Sequence, residues 1–62
     1  MQISEGQIIY CIDESSPHYG NKLKVVLILE SGRPLLEDVK TGKSVRLNLE
    51  QLSEDPPPEK SN

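Results

Sequence analysis

The chain has little of what enzymes, disulfide-rich domains and membrane proteins require. It has 62 residues, with one cysteine, one histidine and no tryptophan or phenylalanine. One cysteine cannot form an intramolecular disulfide, whereas small secreted domains normally carry several. No apolar run approaches the roughly 20 residues of a membrane-spanning helix, and no signal-peptide pattern opens the chain. These absences predict a soluble cytoplasmic protein without a membrane span.

Patterns of catalytic and metal-binding residues are also missing. His18 has no nucleophile at diagnostic spacing, so it is interpreted as a solvated loop residue. Cys11 lies among isoleucines, which indicates an inert buried thiol, and with His18 it offers too few ligands for structural zinc. Adjacent acidic residues on a strand point to opposite faces, so the acidic pairs are interpreted as solvated charge. These pairs are Asp13-Glu14, Glu37-Asp38 and Glu54-Asp55. We therefore predict no enzyme activity, no metal and no cofactor.

What the sequence does contain is a series of short apolar runs typical of β-strands. Alanine is absent, and the apolar residues are mostly Ile, Val and Leu, which favour pleated surfaces over helices. Turn-forming residues separate the runs, with a long loop at 14–21 and tight turns at Ser31-Gly32 and Thr41-Gly42. Residues 50–52 are predicted to make one helical turn that returns Leu52 to the core. Strands are predicted at 6–13, 23–30, 33–40 and 44–49, with a fifth at residues 1–3 or near Leu52.

Alternation within the second run predicts which of its side chains form the core. One face of this run is apolar throughout, and it is assigned to the core. The opposite face carries Val26 and Ile28, which are assigned to a partly covered second surface. The predicted core face consists of Leu23, Val25, Leu27 and Leu29.

The first and last runs differ in how clearly they define a buried face. Residues 8–12 are apolar on both faces, which predicts a strand that is buried on both sides or highly curved. A dimer is one way to cover the second face. The last run alternates Val45, Leu47 and Leu49 with polar residues, which is typical of a half-buried strand.

The order of these elements suggests a known architecture. Short antiparallel strands usually curl into a small barrel, which covers both faces and removes the edges. A long first loop, two tight hairpins and a short helical turn resemble the SH3-like barrels, the class that includes KOW, Tudor and Sm-like modules. Tyr19-Gly20-Asn21-Lys22 and the strand that follows, about ten residues in all, resemble the loop-to-strand segment of KOW modules. That resemblance implies binding to RNA or to transcription or ribosomal proteins.

The C-terminal segment is predicted to lie outside the folded domain. Residues 53–62 contain no apolar residue other than proline, so they cannot offset their own ordering entropy. We predict an all-β, SH3-like antiparallel barrel at 1–52 and a disordered acidic Pro-rich tail at 53–62. Pro56–Pro58 should adopt polyproline II. Because no P-x-x-P spacing is present, the tail is interpreted as a flexible solubilising end rather than a ligand.

Charge is distributed unevenly, with a basic middle between acidic ends. The net charge is −3, yet residues 20–46 hold six basic residues against three acidic ones. Several of the basic side chains are predicted to lie near Tyr19, where they form either a nucleic-acid surface or an ordinary solubilising one. Overall acidity disfavours nonspecific binding to phosphate backbones. The basic residues concerned are Lys22, Lys24, Lys43 and Arg46.

Two functions follow as hypotheses. The preferred one is a non-catalytic interaction module, an accessory or regulatory subunit that docks on a larger protein. Its contact would be made through Val26 and Ile28, or through an edge strand that accepts a partner strand. The alternative is a KOW-like RNA- or DNA-binding module that uses Tyr19 and the basic residues. A homodimer is a further arrangement that the sequence allows.

Overall fold

The computed structural model describes residues 2–58, which form a five-stranded antiparallel sheet. The strand order across the sheet is β4-β3-β2-β1-β5. Among the described residues β4 and β5, at the two ends of this order, do not pair, so the sheet is open. The predicted all-β class is confirmed. The elements are β1 (Ile8–Cys11), β2 (Lys22–Ile28), β3 (Pro34–Asp38), β4 (Ser44–Arg46), a 3-10 turn (Leu49–Gln51) and β5 (Leu52–Ser53).

The fifth strand comes from the Leu52 region rather than from the N-terminus. The 3-10 turn redirects the chain so that Leu52 pairs with Cys11 and Ser53 pairs with Tyr10. Leu52 is buried, as the predicted helical turn requires. Gln2 and Ile3 are not in a strand, and Met1 lies outside the described residues.

One face of the sheet, here called the inner face, carries the core. Burial alternates along β2 and β3 because successive side chains on a strand point to opposite faces. Pro34 begins β3 and is buried, a position that suits a residue without a backbone N–H. The buried apolar cluster consists of Ile9, Cys11, Leu23, Val25, Leu36, Val45, Leu47 and Leu52.

A β-bulge interrupts the alternation of β2. Val25 pairs with Leu36, and the next paired residue on β2 is Leu27, which faces Leu35. Two consecutive residues of β3 therefore face three residues of β2, and Val26 is the extra one. A bulge of this kind shifts the period of two by one residue.

The bulge overturns part of the predicted core. Beyond it Ile28 lies on the inner face, where it is half-buried and packs against the core cluster. Leu27 and Leu29 are exposed instead, so their assignment to the core is wrong. Val26 is 45% exposed, as expected for a residue outside the core.

The first strand and the end of the fourth also differ from expectation. Ile8 and Ile12 are exposed, so the prediction that β1 is buried on both sides is wrong, although Tyr10 between them is half-buried. Leu49 is exposed although its alternation with Val45 and Leu47 assigned it to the core. The reason is that Leu49 begins the 3-10 turn, where alternation no longer holds.

Both tight turns form where glycine was expected. Gly32 and Gly42 have φ values of 86° and 77°, which side chains with a Cβ adopt rarely. In the second turn the Asp38 carboxylate accepts hydrogen bonds from the backbone N–H groups of Lys40 and Thr41, at 2.8 and 3.2 Å. Asp38 is buried, so its interpretation as solvated charge is wrong.

The described part of the C-terminal segment leaves the sheet after β5. Ser53 is still paired, and Glu54 and Asp55 are exposed in a bend. The remaining part of the predicted tail, residues 59–62, lies outside the described residues. No helix within residues 2–58 has the length and apolarity needed to cross a membrane.

Candidate interaction surfaces

The face of the sheet opposite the core, here called the outer face, is organised in rows that cross the strands. In one row Ile8 lies opposite Lys24, which in turn lies opposite Glu37. In a second row Tyr10 lies between Ser53 on β5 and Lys22 on β2. Charged and apolar side chains are therefore neighbours across this face.

Aliphatic side chains gather on the outer face towards the β2–β3 hairpin. Leu27 lies opposite the half-buried Leu35, and Leu35 lies opposite Arg46 on β4. Each member of the group is between 36% and 45% exposed. We call this group the outer apolar patch, and it comprises Ile8, Val26, Leu27 and Leu29.

The structure separates the two apolar residues that were predicted to share a contact surface. Val26 belongs to the outer apolar patch, whereas Ile28 lies on the inner face and packs against the core. Leu27 replaces Ile28 as the outward neighbour of Val26. Because the bulge decides this exchange, a contact surface here consists of consecutive residues rather than alternate ones.

The predicted basic residues are all exposed, but the structure does not bring them into one cluster. Lys22 and Lys24 lie on the outer face of β2, while Arg46 lies on the outer face of β4. Glu37 on β3 lies between these two strands, directly opposite Lys24. Lys43 immediately precedes β4. Strands are about 4.8 Å apart, so Arg46 lies roughly 10 Å from β2, with Leu35 between them in the same row.

Tyr19 lies in the loop between β1 and β2, at the opposite end of β2 from the outer apolar patch. Its hydroxyl donates a hydrogen bond to the Pro58 carbonyl oxygen at 3.3 Å. Its backbone N–H donates to the Ser16 carbonyl oxygen at 3.2 Å. Tyr19 is close in sequence to Lys22, but β4, which carries Arg46, is three strands from β1. The structure therefore does not join Tyr19 and all the basic residues in a single site.

Asp13 connects this loop to the 3-10 turn. Its carboxylate accepts hydrogen bonds from the Ser15 hydroxyl at 2.6 Å, the Ser15 N–H at 2.9 Å and the Gln51 side-chain amide at 2.7 Å. These bonds, led by the Ser15 hydroxyl, stabilise the charged form and lower the pKa of Asp13 below its ordinary value. Asp13 therefore holds two distant segments together.

An open cleft of about 440 Å³ lies beside Asp38 and includes Asn21, Lys22 and Lys40 in its lining. The second carboxylate oxygen of Asp38 accepts a hydrogen bond from the Asn21 side-chain amide at 3.2 Å. One oxygen of Asp38 therefore accepts hydrogen bonds from the second turn, and the other accepts one from Asn21 in the neighbouring loop. No buried side-chain nitrogen or oxygen in residues 2–58 lacks a hydrogen-bond partner.

The remaining candidate chemical residues are integrated into the fold. Cys11 is a free cysteine and is fully buried in the core. His18 is half-buried, and its backbone N–H donates to the Ser16 hydroxyl at 3.1 Å. Within the part of the chain that the structure describes, no three His, Cys, Asp or Glu side chains form a group that could hold a metal ion.

Sequence reasoning missed three members of the outer apolar patch. Leu27 and Leu29 were assigned to the core, and no residue type in β2 signals a bulge at Val26. Ile8 was expected to be covered. The sequence did contain a signal for the exposure of Ile8, because a strand with two apolar faces in a small domain requires either a second layer or a partner.

No family model, no curated protein and no solved structure matches this chain. The resemblance to SH3-like and KOW modules therefore stays a prediction from the sequence.

Proposed function

We propose that the chain is a non-catalytic interaction module that docks on a larger protein through its outer apolar patch. The observation that supports this proposal most directly is the exposure of Ile8, Val26 and Leu27, each 40% or more, on one face of the sheet. Contiguous exposed aliphatic surface with polar neighbours is typical of protein–protein contact sites. Catalysis plays no part in this role.

We further propose that the domain is an SH3-like barrel in the sense of its connectivity. The element order is a long first loop, two hairpins and a 3-10 turn, followed by a final short strand that pairs with β1. This order supports the assignment, because β1 is then shared between β2 and β5. Curvature of the sheet would bring β4 and β5 towards each other around the inner face.

The size of the molecule limits how a partner binds. A standard interface buries about 800 Å² on each partner, which is about one sixth of the 4,530 Å² surface of this chain. The four patch residues alone cannot supply that area, so the charged rows of the outer face would form the rim. Lys24, Glu37 and Arg46 flank the patch and would set the orientation of the partner.

The test compares the patch with an equally exposed apolar residue elsewhere. The tagged Val26→Asp/Leu27→Asp variant is used for affinity capture from a lysate of the source, beside the wild type and Val39→Asp. Val39 is 51% exposed and lies after β3, away from the patch. We expect the patch variant to lose the captured proteins and Val39→Asp to retain them, with amide NMR spectra confirming that all three are folded.

Two other results would each have a different meaning for the proposal. Captured proteins that remain on the folded patch variant would overturn the proposal. Sedimentation of the wild type as a dimer, and of the patch variant as a monomer, would identify a second copy as the occupant of the patch.

Nucleic-acid binding is the second candidate, and the outward position of Lys22, Lys24 and Arg46 favours it. Glu37, directly opposite Lys24, and the net charge of −3 weigh against it. This function requires capture that nuclease abolishes and an affinity that falls steeply with salt. If the chain binds nucleic acid, the Lys24→Ala/Arg46→Ala variant should no longer capture its partners. If the chain docks on a protein through the outer apolar patch, the Val26→Asp/Leu27→Asp variant should no longer capture them.

A further inference from the structure

The outer apolar patch lies on inner strands of the sheet rather than at an edge. β2 pairs with both β1 and β3, and β1 pairs with both β2 and β5. Leu29, just beyond β2, donates its N–H to the Arg33 carbonyl at 2.9 Å and accepts a hydrogen bond from the Gly32 N–H at 2.8 Å. A partner strand adds at a sheet edge, where backbone groups are free. A segment that covers the patch must therefore satisfy its own backbone hydrogen bonds, as an α-helix does.

The width of the apolar surface also fits a helix. Ile8 lies on β1, Val26 and Leu27 lie on β2, and the half-buried Leu35 faces Leu27 from β3. Three neighbouring strands span about 10 Å at a spacing of about 4.8 Å. An α-helix with its side chains is about 10–12 Å across. One helix with an aliphatic stripe is therefore wide enough to cover the patch.

The charge of the outer face is opposite in sign to that of the whole chain. Within the strands this face carries Lys22, Lys24 and Arg46 against Glu37, a net charge of +2. The whole chain carries −3, so the residues outside this set sum to −5. An apolar surface on the basic side of an acidic chain favours an acidic partner segment.

Two of the cations lie directly beside the apolar surface. Lys24 lies opposite Ile8, and Arg46 lies opposite Leu35. Carboxylates at the border of a partner's aliphatic stripe would meet these cations, whereas a second copy of this chain would bring an equally positive face against them. Nucleic acid would find little to stack on, because within residues 2–58 the one aromatic side chain of the outer face is Tyr10, which is half-buried.

We propose that the outer apolar patch receives an acidic amphipathic helix of the partner protein. Its aliphatic side chains contact Ile8, Val26 and Leu27, and its Asp or Glu side chains lie beside Lys24 and Arg46. This inference rests on the proposed docking function and specifies the chemistry of the partner segment. Exposed ion pairs contribute little individually, so the apolar contacts supply most of the affinity and the charges select the partner.

The probes are two synthetic peptides of about 16 residues, or about four helical turns, with the same stripe of leucines. Glutamate borders the stripe in the acidic peptide, and lysine takes the same positions in the basic one. Each is titrated into the full-length chain and followed by fluorescence polarisation and amide NMR. We expect the acidic peptide to bind about fivefold or more tightly at low salt. Chemical shifts should change mainly in β1, β2 and β3, and the bound peptide should be helical.

Two pairs of substitutions separate local charge from total charge. Lys24→Gln/Arg46→Gln removes the cations beside the patch and should reduce the preference for the acidic peptide to about twofold or less. Lys40→Gln/Lys43→Gln removes the same total charge at the second turn, away from the patch. This matched control should keep the preference. Amide NMR spectra of both variants establish that they are folded.

Several results would overturn the proposal. They are failure of both peptides to bind, equal affinity for the two, an equal loss of preference in both charge variants, and a bound peptide that is extended. Acidic-peptide binding that survives in the folded Val26→Asp/Leu27→Asp variant would also overturn it. Tighter binding of a single-stranded oligonucleotide than of the acidic peptide would assign the basic face to nucleic acid instead.

Failure of this inference is distinguishable from failure of the docking function. If Val26→Asp/Leu27→Asp loses the proteins captured from lysate while Lys24→Gln/Arg46→Gln keeps them, the patch docks on a protein but the acidic helix is refuted. If the captured proteins remain on the folded Val26→Asp/Leu27→Asp variant, the docking function itself is refuted. Nuclease-resistant capture that both variants lose would support both proposals.

Discussion

The two faces of the sheet are built from similar aliphatic residues but have different environments. The inner face buries Ile9, Leu23 and Leu36 completely, whereas the outer face leaves Ile8 and Leu27 more than one third exposed. Residue type does not distinguish the faces, because Ile8 and Ile9 are neighbours in the same strand. Hydrophobicity therefore identifies the residues that can form a core, and the face of the sheet that the rest of the chain covers selects those that do.

The largest effect should come from truncating Leu36 on the inner face, and the same truncation of Leu27 on the outer face provides the comparison. Leu36 is fully buried between Val25 and Val45, its pairing partners on the adjacent strands. Leu36→Ala should lower the free energy of unfolding by about 2–5 kcal/mol, close to the whole stability of roughly 5 kcal/mol expected for a small domain. Leu27→Ala should cost less than about 1 kcal/mol. Urea denaturation measures both, and equal losses would show that the outer face is also covered in solution.

The next effect concerns Asp38, a buried charged residue on the inner face. Asp38→Ala removes the acceptor for two backbone N–H groups of the second turn and should cost about 1–3 kcal/mol. Glu37→Ala, its exposed neighbour on the outer face, should change stability by less than about 0.5 kcal/mol. Thermal unfolding of the pair provides the comparison. A similar loss for both variants would mean that the hydrogen bonds of Asp38 contribute little.

A smaller effect is expected from removing the bulge itself. Deletion of Val26 leaves Val25 opposite Leu36 and Leu27 opposite Leu35, and Ile28 still reaches the inner face. The deletion should therefore cost less than about 1 kcal/mol while it reduces the outer apolar patch. Deletion of Leu35 is the matched control, because β3 has no extra residue and the slip would reverse its faces. Amide NMR spectra should show a folded chain only for the first deletion.

The smallest effect should be a loss of stability that is present near neutral pH and absent in acid. The folded-state pKa of Asp13 is lowered, chiefly by the Ser15 hydroxyl, so its carboxylate stabilises the fold above the unfolded-state pKa of about 4. That contribution is lost as pH falls through the lower folded-state pKa. Asp13→Asn should therefore reduce the melting temperature slightly near pH 7, and this difference should disappear as pH falls through the folded-state pKa. A difference that persists unchanged at low pH would contradict this origin.

Local chemistry made part of this fold predictable. Gly32 and Gly42 lie in the expected turns, and Leu52 returns to the core after the 3-10 turn. Pro34 begins a strand, a position that suits its missing N–H. Each of these features depends on residues adjacent in sequence, which is why the pattern was sufficient.

The candidate surfaces were less predictable because they depend on distant residues. The bulge at Val26 arises from the pairing of β2 with β3, and no residue of β2 indicates it. Asp38 is buried because its turn packs beside Asn21, which is 17 residues away. The contact between Tyr19 and Pro58 spans most of the chain. Of the residues predicted to bind a partner, Val26 is exposed on the outer face, whereas Ile28 faces the core.

The sequence by itself determined the strand-rich class, the positions of the turns and, within strands that keep their register, the sets of side chains that share a face. Those properties follow from a period of two and from backbone preferences of glycine and proline, which act within a few residues. Only the tertiary structure decided which apolar face is covered, where the register shifts and which loop meets the C-terminal segment. These outcomes depend on contacts between segments far apart in the chain, and an alternating pattern contains no information about the layer that packs against it.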